Sequence, residues 1–233
     1  MEPGKLFVVA TPIGNLGDIT LRAIETIRSI DFVICEDSRE ALKLLKHLEI
    51  EKPLFVLNAR NETDSINKII MKIGNGENCA LTSDAGTPCI SDPGVRLVNE
   101  AIRNQIQVVG IPGANAAILA LSISGLPTDS FVFEGFIPQK KGRQKKLKEL
   151  NEEKRTIVLY ESVYRIEKLI SELAVYMPDR FVVICRELTK MFEECLRGFP
   201  SYLLEQLSQS KIKGEFVVII APKFWKEKVY SES

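Results

Sequence analysis

Residues 81–94, Leu-Thr-Ser-Asp-Ala-Gly-Thr-Pro-Cys-Ile-Ser-Asp-Pro-Gly, crowd two aspartates, two prolines and two glycines into one short stretch. Cys79, Ala80 and Leu81 read as the end of a buried strand, and Val95, Val98 and Ile102 follow with helical spacing. A strand that runs into a small-residue turn and then a helix is where open α/β sheets bind ligands. Gly86 and Gly94 permit backbone conformations that a Cβ disfavours. Pro88 and Pro93 stiffen the turn and remove donors. The same residue types serve any tight loop, so this composition is also that of an ordinary turn. A second loop, Thr11-Pro12-Ile13-Gly14-Asn15-Leu16-Gly17-Asp18, could cradle an anion with backbone amides. It lacks the Gly-Lys-Ser/Thr ending of a P-loop and does not match Gly-x-Gly-x-x-Gly. Asp18 is expected to cap the helix that follows, and Glu36-Asp37-Ser38-Arg39 reads as a helix cap with a surface ion pair. Between residues 139 and 148 stand Lys140, Lys141, Arg143, Lys145, Lys146 and Lys148. That run is either a solvated helix face or an arm that meets phosphates.

These stretches need elements to hold them. Residues 5–10, 32–34, 54–57, 79–81 and 106–109 are apolar runs of strand length. Helical periodicities lie between them: Leu21, Ile24, Ile27 and Ile30; Leu42, Leu45 and Leu48; Ile66, Ile69, Ile70 and Ile73. Regular strand–helix alternation predicts a mostly parallel sheet with helices on both faces. A further small-residue turn, residues 110–116, leads into an apolar helix. The character changes across residues 121–129, where Gly125 and Pro127 suggest a linker. Strands are then expected at 131–136, 156–160, 181–186 and 215–221, with a helix marked by Ile166, Leu169, Ile170 and Leu173. A strand at 191–197 follows its predecessor so closely that an antiparallel pairing is expected. The expectation is two α/β domains, residues 1–115 and 116–233, with a mostly parallel sheet in the first and a mixed sheet in the second.

Bulk properties exclude several classes. The 233 residues carry no formal net charge, so no global field draws the chain to nucleic acid or membrane. No apolar run has membrane length, and the N-terminus lacks a signal-peptide layout. Five scattered cysteines form no Cys-x-x-Cys pair, and His47 is the single histidine. A zinc site is not expected, and reduced thiols in a cytoplasm are. Cys35, Cys79 and Cys185 lie in strand-like runs and are expected in the core.

The ordered set of motifs resembles one family. It comprises residues 11–23, Glu36-Asp37-Ser38-Arg39, Ser83-Asp84-Ala85-Gly86-Thr87-Pro88, Ser91-Asp92-Pro93-Gly94 and Phe133-Glu134-Gly135-Phe136. It continues through Tyr160-Glu161-Ser162, Arg186-Glu187-Leu188-Thr189-Lys190 and Lys213-Gly214-Glu215. The set is similar to the small-subunit ribosomal RNA cytidine-2′-O-methyltransferases of the tetrapyrrole-methylase superfamily. That resemblance implies two α/β domains with S-adenosylmethionine (SAM) in a cleft between them, and a homodimer. It also implies methylation of a cytidine ribose in the decoding centre of 16S ribosomal RNA, free or in the small subunit. By the superfamily pattern the methyl donor meets Pro12, Ser83, Asp84, Gly86, Thr87, Ile90, Asn115 and Ala116. From the second domain it meets Tyr160, Glu161, Arg186, Leu188 and Glu215. The chain departs from many members at Leu57-Asn58-Ala59-Arg60-Asn61-Glu62 and at Val163-Tyr164, where histidines are common. Several members also continue into a small helical domain, whereas this sequence stops about a dozen residues after its last expected strand.

The implied chemistry is an in-line displacement at a sulfonium, so alignment and a dry site dominate. A ribose hydroxyl must lose its proton during attack, which a positioned base accelerates by about 10²–10⁴-fold. Carboxylates at strand ends, Asp18, Asp37, Asp84 and Glu161, are the candidates, and Arg39 or Arg186 could stabilise a developing oxyanion. The catalytic expectation settles on Asp37, Arg39 and Glu161, with no metal. The RNA is expected on Lys140, Lys141, Arg143, Lys145 and Lys146. Two other activities fit parts of the sequence: a tetrapyrrole C-methyltransferase, and a non-catalytic RNA-binding assembly factor.

Overall fold

In the computed structural model, residues 2–57, 62–208 and 213–226 are described. The chain falls into two compact units, Met1–Asn115 and Ala116–Ser233.

The first unit alternates strand and helix. Its strands are β1 (Lys5–Val9), β2 (Phe32–Cys35), β3 (Leu54–Val56), β4 (Cys79–Leu81) and β5 (Gln107–Ile111). Its helices are α1 (Leu21–Ser29), α2 (Ser38–His47), α3 (Glu62–Gly74) and α4 (Val95–Arg103). The sheet order is β3-β2-β4-β1-β5, and every pair is parallel. Because strand side chains alternate faces, the apolar runs are buried twice over. Val9, Val33 and Ala80 meet Ala23, Ile27, Leu44 and Leu45 of α1 and α2. Leu6, Phe32, Ile34, Cys79 and Leu81 meet Ile66, Ile69, Ile73, Leu97 and Ala101 of α3 and α4 on the other face. The connection out of β1 runs toward β2, and the one out of β4 runs past β1 to β5. The carboxyl ends of the neighbours β1 and β4 are therefore a switch point, where loops part and leave a crevice.

Capping differs from one expectation. Asp18 ends a short 3₁₀ turn, Leu16–Asp18, and the cap of α1 is Thr20, whose Oγ1 accepts from the N–H of Ala23 at 3.2 Å. Thr20 immediately precedes the helix, whereas Asp18 lies two residues too far back for its carboxylate to cap it.

The second unit opens with α5 (Ala116–Ser124) and continues β6 (Phe131–Gly135), α6 (Arg143–Asn151), β7 (Thr156–Ser162), α7 (Ile166–Tyr176), β8 (Val182–Arg186), β9 (Glu194–Gly198), α8 (Pro200–Ser208) and β10 (Glu215–Ile220). Its sheet order is β6-β7-β10-β8-β9, with β6 and β7 parallel and the remaining pairs antiparallel. The last strand thus occupies the centre. Leu147, Leu150, Ile166, Leu169, Ile170, Leu173, Leu203 and Leu207 bring α6, α7 and α8 onto one face, against Ile157, Leu159, Ile184 and Val218. Burying each such side chain contributes roughly 1.5–3 kcal/mol. Helix α5 packs against β10 and β7. Cys185 and Cys195 stand directly opposite each other on β8 and β9, with their sulfurs 3.2 Å apart. Cys35, Cys79 and Cys185 are buried, as their apolar neighbours in sequence imply. Among the described residues no helix is long and apolar enough to cross a membrane.

Candidate functional site

In the first unit, the loops leaving β1, β2, β4 and β5 are bonded to one another at the carboxyl edge of the sheet. Thr11 and Gly86 exchange backbone hydrogen bonds, the Thr11 N–H donating at 2.8 Å and the Gly86 N–H at 3.1 Å. The Thr11 hydroxyl donates to the Ser83 carbonyl at 3.1 Å, and the Ser83 hydroxyl to the Gly86 carbonyl at 3.1 Å. Thr87 Oγ1 donates to the Ala114 carbonyl at 3.0 Å, which ties in the loop after β5. The N–H of Asp37 donates to Asp84 Oδ1 at 3.1 Å, which ties in the loop after β2. Gly86 holds φ +85° against the side chain of Ile13. Pro12, Ser83 and Gly86 are buried, Thr87 and Asn115 half-buried, and Asp84 and Ile90 exposed. The structure therefore gathers Pro12, Ser83, Asp84, Gly86, Thr87 and Asn115 on loops that leave one sheet edge.

The electrostatics of that edge are acidic. Burial raises the Asp92 carboxyl to about 6, and the nearby Glu36 and Asp84 carboxylates add to the rise, while a hydrogen bond from Ser83 pulls it partly back. Glu36 and Asp84 are also raised, again first by burial and then by their acidic neighbours. Mutual repulsion among carboxylates is relieved by a bound cationic group. SAM carries a sulfonium and an ammonium against one carboxylate, so this edge suits it electrostatically, and Ala85, Gly86, Gly113 and Ala114 keep side-chain bulk low there.

Asp37 plays a different part. Its carboxylate caps α2 by accepting from the N–H of Arg39 at 2.8 Å, and it also holds the Arg39 guanidinium. Those hydrogen bonds hold the Asp37 carboxyl down to about 2. So low a value makes it a poor proton acceptor, and the cap-and-ion-pair reading of residues 36–39 describes what the structure contains. Asp92 has the better-tuned carboxylate. The sequence signal for it was its place in the loop between β4 and α4, beside Ser83 and Asp84 in the same motif.

In the second unit, Tyr160 and Glu161 lie just before the end of β7 at Ser162, Arg186 ends β8, Leu188 follows it, and Glu215 opens β10. Glu161 is only 2 % exposed. Its Oε1 accepts from Arg165 Nε at 2.7 Å and from the N–H of Ser162 at 2.8 Å. Its Oε2 lies 4.0 Å from Arg143 Nη2, so the buried carboxylate is held between two guanidinium groups and anchors the end of β7. Tyr160 packs edge-on to Phe133 at 5.0 Å between centroids. Arg186 pairs with Glu194 at 3.2 Å. Lys190 bridges Glu187 and Glu215, each at 3.0 Å. Burial pushes Glu187 up, but the Lys190 ammonium and the backbone of Glu215 outweigh it and leave the carboxyl below its usual range.

The basic run 140–148 divides. Arg143 is 3 % exposed, which corrects the expectation that it meets RNA. Its Nε donates to both Glu172 oxygens, at 3.1 and 2.8 Å, and its Nη1 to the Pro138 carbonyl at 3.1 Å. Its Nη2 lies 2.6 Å from Glu172 Oε2 without the alignment of a hydrogen bond, and 4.0 Å from Glu161. The reason is helical phase: Arg143, Leu147 and Leu150 form the buried stripe of α6. Lys146 pairs with Glu134 at 2.6 Å, and Lys145 with Glu149 at 3.8 Å. Lys140 and Lys141 are exposed and have no carboxylate partner among the described residues. Asn58, Ala59, Arg60 and Asn61, where the family's histidines are absent, lie outside the described residues. Among the described residues no group of three or more histidine, cysteine, aspartate or glutamate side chains is placed to hold a metal ion.

Comparison with known proteins follows the same lines. The profile of the tetrapyrrole (corrin/porphyrin) methylases matches residues 5–200. The chain is 44% identical to the ribosomal RNA small subunit methyltransferase I of Halalkalibacterium halodurans, over 100% of this chain and 82% of that protein. It is 42% identical to the protein of the same name from Thermotoga maritima, over 94% of this chain and 99% of that one. Among solved structures, a diphthine synthase superposes with a TM-score of 0.71 at 16% identity, over 93% of this chain and 89% of that chain. A uroporphyrin-III C-methyl transferase from Thermus thermophilus, complexed with S-adenyl homocysteine, superposes with a TM-score of 0.65 at 16% identity, over 94% and 97%.

Proposed function

The chain belongs to the tetrapyrrole methylase family, and from that membership we propose that it transfers the methyl group of SAM to small-subunit ribosomal RNA. The observation that carries the substrate is the 44% identity, along the whole chain, to a ribosomal RNA small subunit methyltransferase I. We propose further that the acceptor is the 2′-hydroxyl of a cytidine in the decoding centre of 16S RNA, that the enzyme acts as a homodimer, and that it works in the cytoplasm where that RNA lies.

SAM supplies an activated methyl group on a positively charged sulfur. The residues do the rest. The bonded loops of Thr11, Ser83, Gly86 and Thr87 form a preorganised floor, so little ordering remains to be done on binding. Pro12, Ser83, Asp84, Gly86, Thr87, Ile90 and Asn115 are proposed to hold the donor from the first unit. Ala116, Tyr160, Arg186, Leu188 and Glu215 are proposed to hold it from the second. The acidic edge of Glu36, Asp84 and Asp92 favours a cation in the ground state. Asp92, with a carboxyl near 6, is proposed to accept the hydroxyl proton at neutral pH. Arg39, whose side chain is exposed beside Asp37, is proposed to face the RNA.

The test is transfer of label from methyl-labelled SAM to 16S RNA, offered free and as assembled subunit, followed by nuclease mapping. Label on a cytidine ribose is expected. Label on a base, or on a tetrapyrrole offered in its place, would reject the acceptor. Titration calorimetry showing SAM binding, with no transfer to any RNA, would turn the reading toward an assembly factor.

A further inference from the structure

The second unit buries Arg143 and Glu161, with Arg165 and Glu172 half-buried against them, beside the ends of two parallel strands whose connections run outward to an exposed surface. Strands β6 and β7 are parallel neighbours, so the loops that leave them, residues 136–142 and 163–165, emerge at the same edge. Arg143 grips the first loop through the Pro138 carbonyl at 3.1 Å. Its guanidinium lies 4.0 Å from Glu161 at the end of β7. Glu161 in turn holds Arg165 of the second loop at 2.7 Å, and the Arg165 guanidinium stacks 5.7 Å from the ring centroid of Phe136, back in the first loop. The contacts close a ring. Glu172 of α7 completes the neutralisation of Arg143.

Buried ion pairs of this kind add little net stability over apolar packing, but they fix geometry. What they fix here is exposed. Tyr164 is 93 % exposed and Phe136 53 %. Lys140 and Lys141 sit in the same loop as Phe136, exposed and without carboxylate partners among the described residues. The Tyr164 ring, the part of Phe136 that Arg165 leaves open, and two ammoniums without carboxylate partners among the described residues are the parts of a single-strand nucleic-acid platform: bases stack on the rings, and phosphates meet the cations. An apolar protein partner would leave both ammoniums desolvated and unpaired, whereas a polyanion with planar bases uses every group present.

We propose that Tyr164 and Phe136, with Lys140 and Lys141, bind an unpaired stretch of RNA by stacking, and that Arg143 and Glu161 are positioning residues that hold the two loops in register. This rests on the ribosomal RNA reading above and assigns to it a surface that takes hold of the substrate. A base in a helix is stacked on its neighbours and unavailable, so the platform selects loops and single strands over duplex.

The experiment uses the full chain, a short single-stranded RNA carrying one 2-aminopurine, and the same RNA annealed to its complement. Binding of the single strand is expected to quench 2-aminopurine emission. Tyr164→Ala is expected to weaken single-strand binding about tenfold and to abolish part of the quench, and Tyr164→Phe to restore both. Duplex affinity is expected to stay unchanged in both variants. Replacing Lys140 and Lys141 with Gln is expected to lower the slope of log affinity against log salt by about 1.4, at about 0.7 per cation on a single strand. Wild-type affinity and quench in Tyr164→Ala would overturn the proposal. So would displacement of the RNA by polyglutamate as effective as by unlabelled RNA, which would point to an acidic protein segment. Methyl transfer assayed in parallel separates the two readings. Transfer by the wild type with an unchanged RNA KM in Tyr164→Ala overturns the platform alone. A Tyr164-dependent quench in a protein that transfers no methyl group overturns the methyltransferase reading and leaves the platform standing.

Discussion

In the first unit, the strand-end loops are held by neutral contacts: Thr11 to Gly86, Ser83 to Gly86 and Thr87 to Ala114. Three carboxylates, Glu36, Asp84 and Asp92, stand beside them with raised pKa values. In the second unit the strand-end loops are held by charge: Arg143 with Glu172 and Glu161, Arg165 with Glu161, and Lys190 with Glu187 and Glu215. The first arrangement leaves Glu36 and Asp92 open to a ligand, because hydroxyls and backbone do most of the structural task and, among the acidic groups, Asp84 holds the Asp37 N–H and Asp37 caps α2 and pairs with Arg39. The second consumes its buried acidic groups in structure and leaves Tyr164, Lys140 and Lys141 exposed, the two lysines without carboxylate partners among the described residues. Function is therefore read from opposite residue types in the two halves: from carboxylates in one, and from cations and rings in the other.

Breaking the charge-held half is expected to cost most. Glu161→Gln leaves Arg143 and Arg165 facing a neutral amide in a buried site, and a loss of about 3 kcal/mol is expected in urea unfolding. A loss below about 1 kcal/mol would mean that the network is not what holds β7 to its loops. The neutral half is broken by shape instead. Gly94 sits at φ +120°, and a Cβ there would lie 2.7 Å from Leu81 Cδ2. Gly94→Ala is expected to destabilise by about 2 kcal/mol, from backbone strain together with the clash. The smallest effect has the opposite sign. Asp92 has its folded-state carboxyl near 6, above the ordinary 3.8, so the folded protein binds this proton more tightly than the unfolded chain does. Stability from this group is greatest at acid pH and falls as pH rises between about 4 and 6. Asp92→Asn removes the penalty. It is expected to gain about 1 kcal/mol at pH 8, a figure reduced for the partial exposure of the group, and nothing at pH 4. Urea midpoints at the two pH values measure it, and an equal effect at both would assign the change to packing.

The strands were legible because buried strands are continuous apolar runs. Phe32 to Ile34 and Cys79 to Leu81 could be little else in a chain of this charge. The short separation of β8 from β9 correctly pointed to an antiparallel pair. Helix α8 was not foreseen, although Pro200 at its first position, with Leu203 and Leu207 at helical spacing, was a usable signal. The burial of Arg143 was hidden by its setting in a run of cations, yet its spacing to Leu147 and Leu150 carried the information. The pairing of Glu161 with Arg165 crosses from a strand end to the start of a helix, where no simple periodicity applies. The tuning of Asp92 depends on Glu36, remote in sequence and brought near by the order of the strands, so no local pattern could report it.

The position of β10 bears on how the protein is made. All five strands of the first sheet have been synthesised by Ile111, so that unit can close while the rest of the chain is still being translated. The second sheet lacks its middle until Glu215–Ile220 emerges from the ribosome, because β7 and β8 each pair with β10 and not with each other. A nascent chain stalled before residue 215 therefore carries a finished half joined to one with two open strand edges. That half is the substrate that a chaperone or a protease would recognise first.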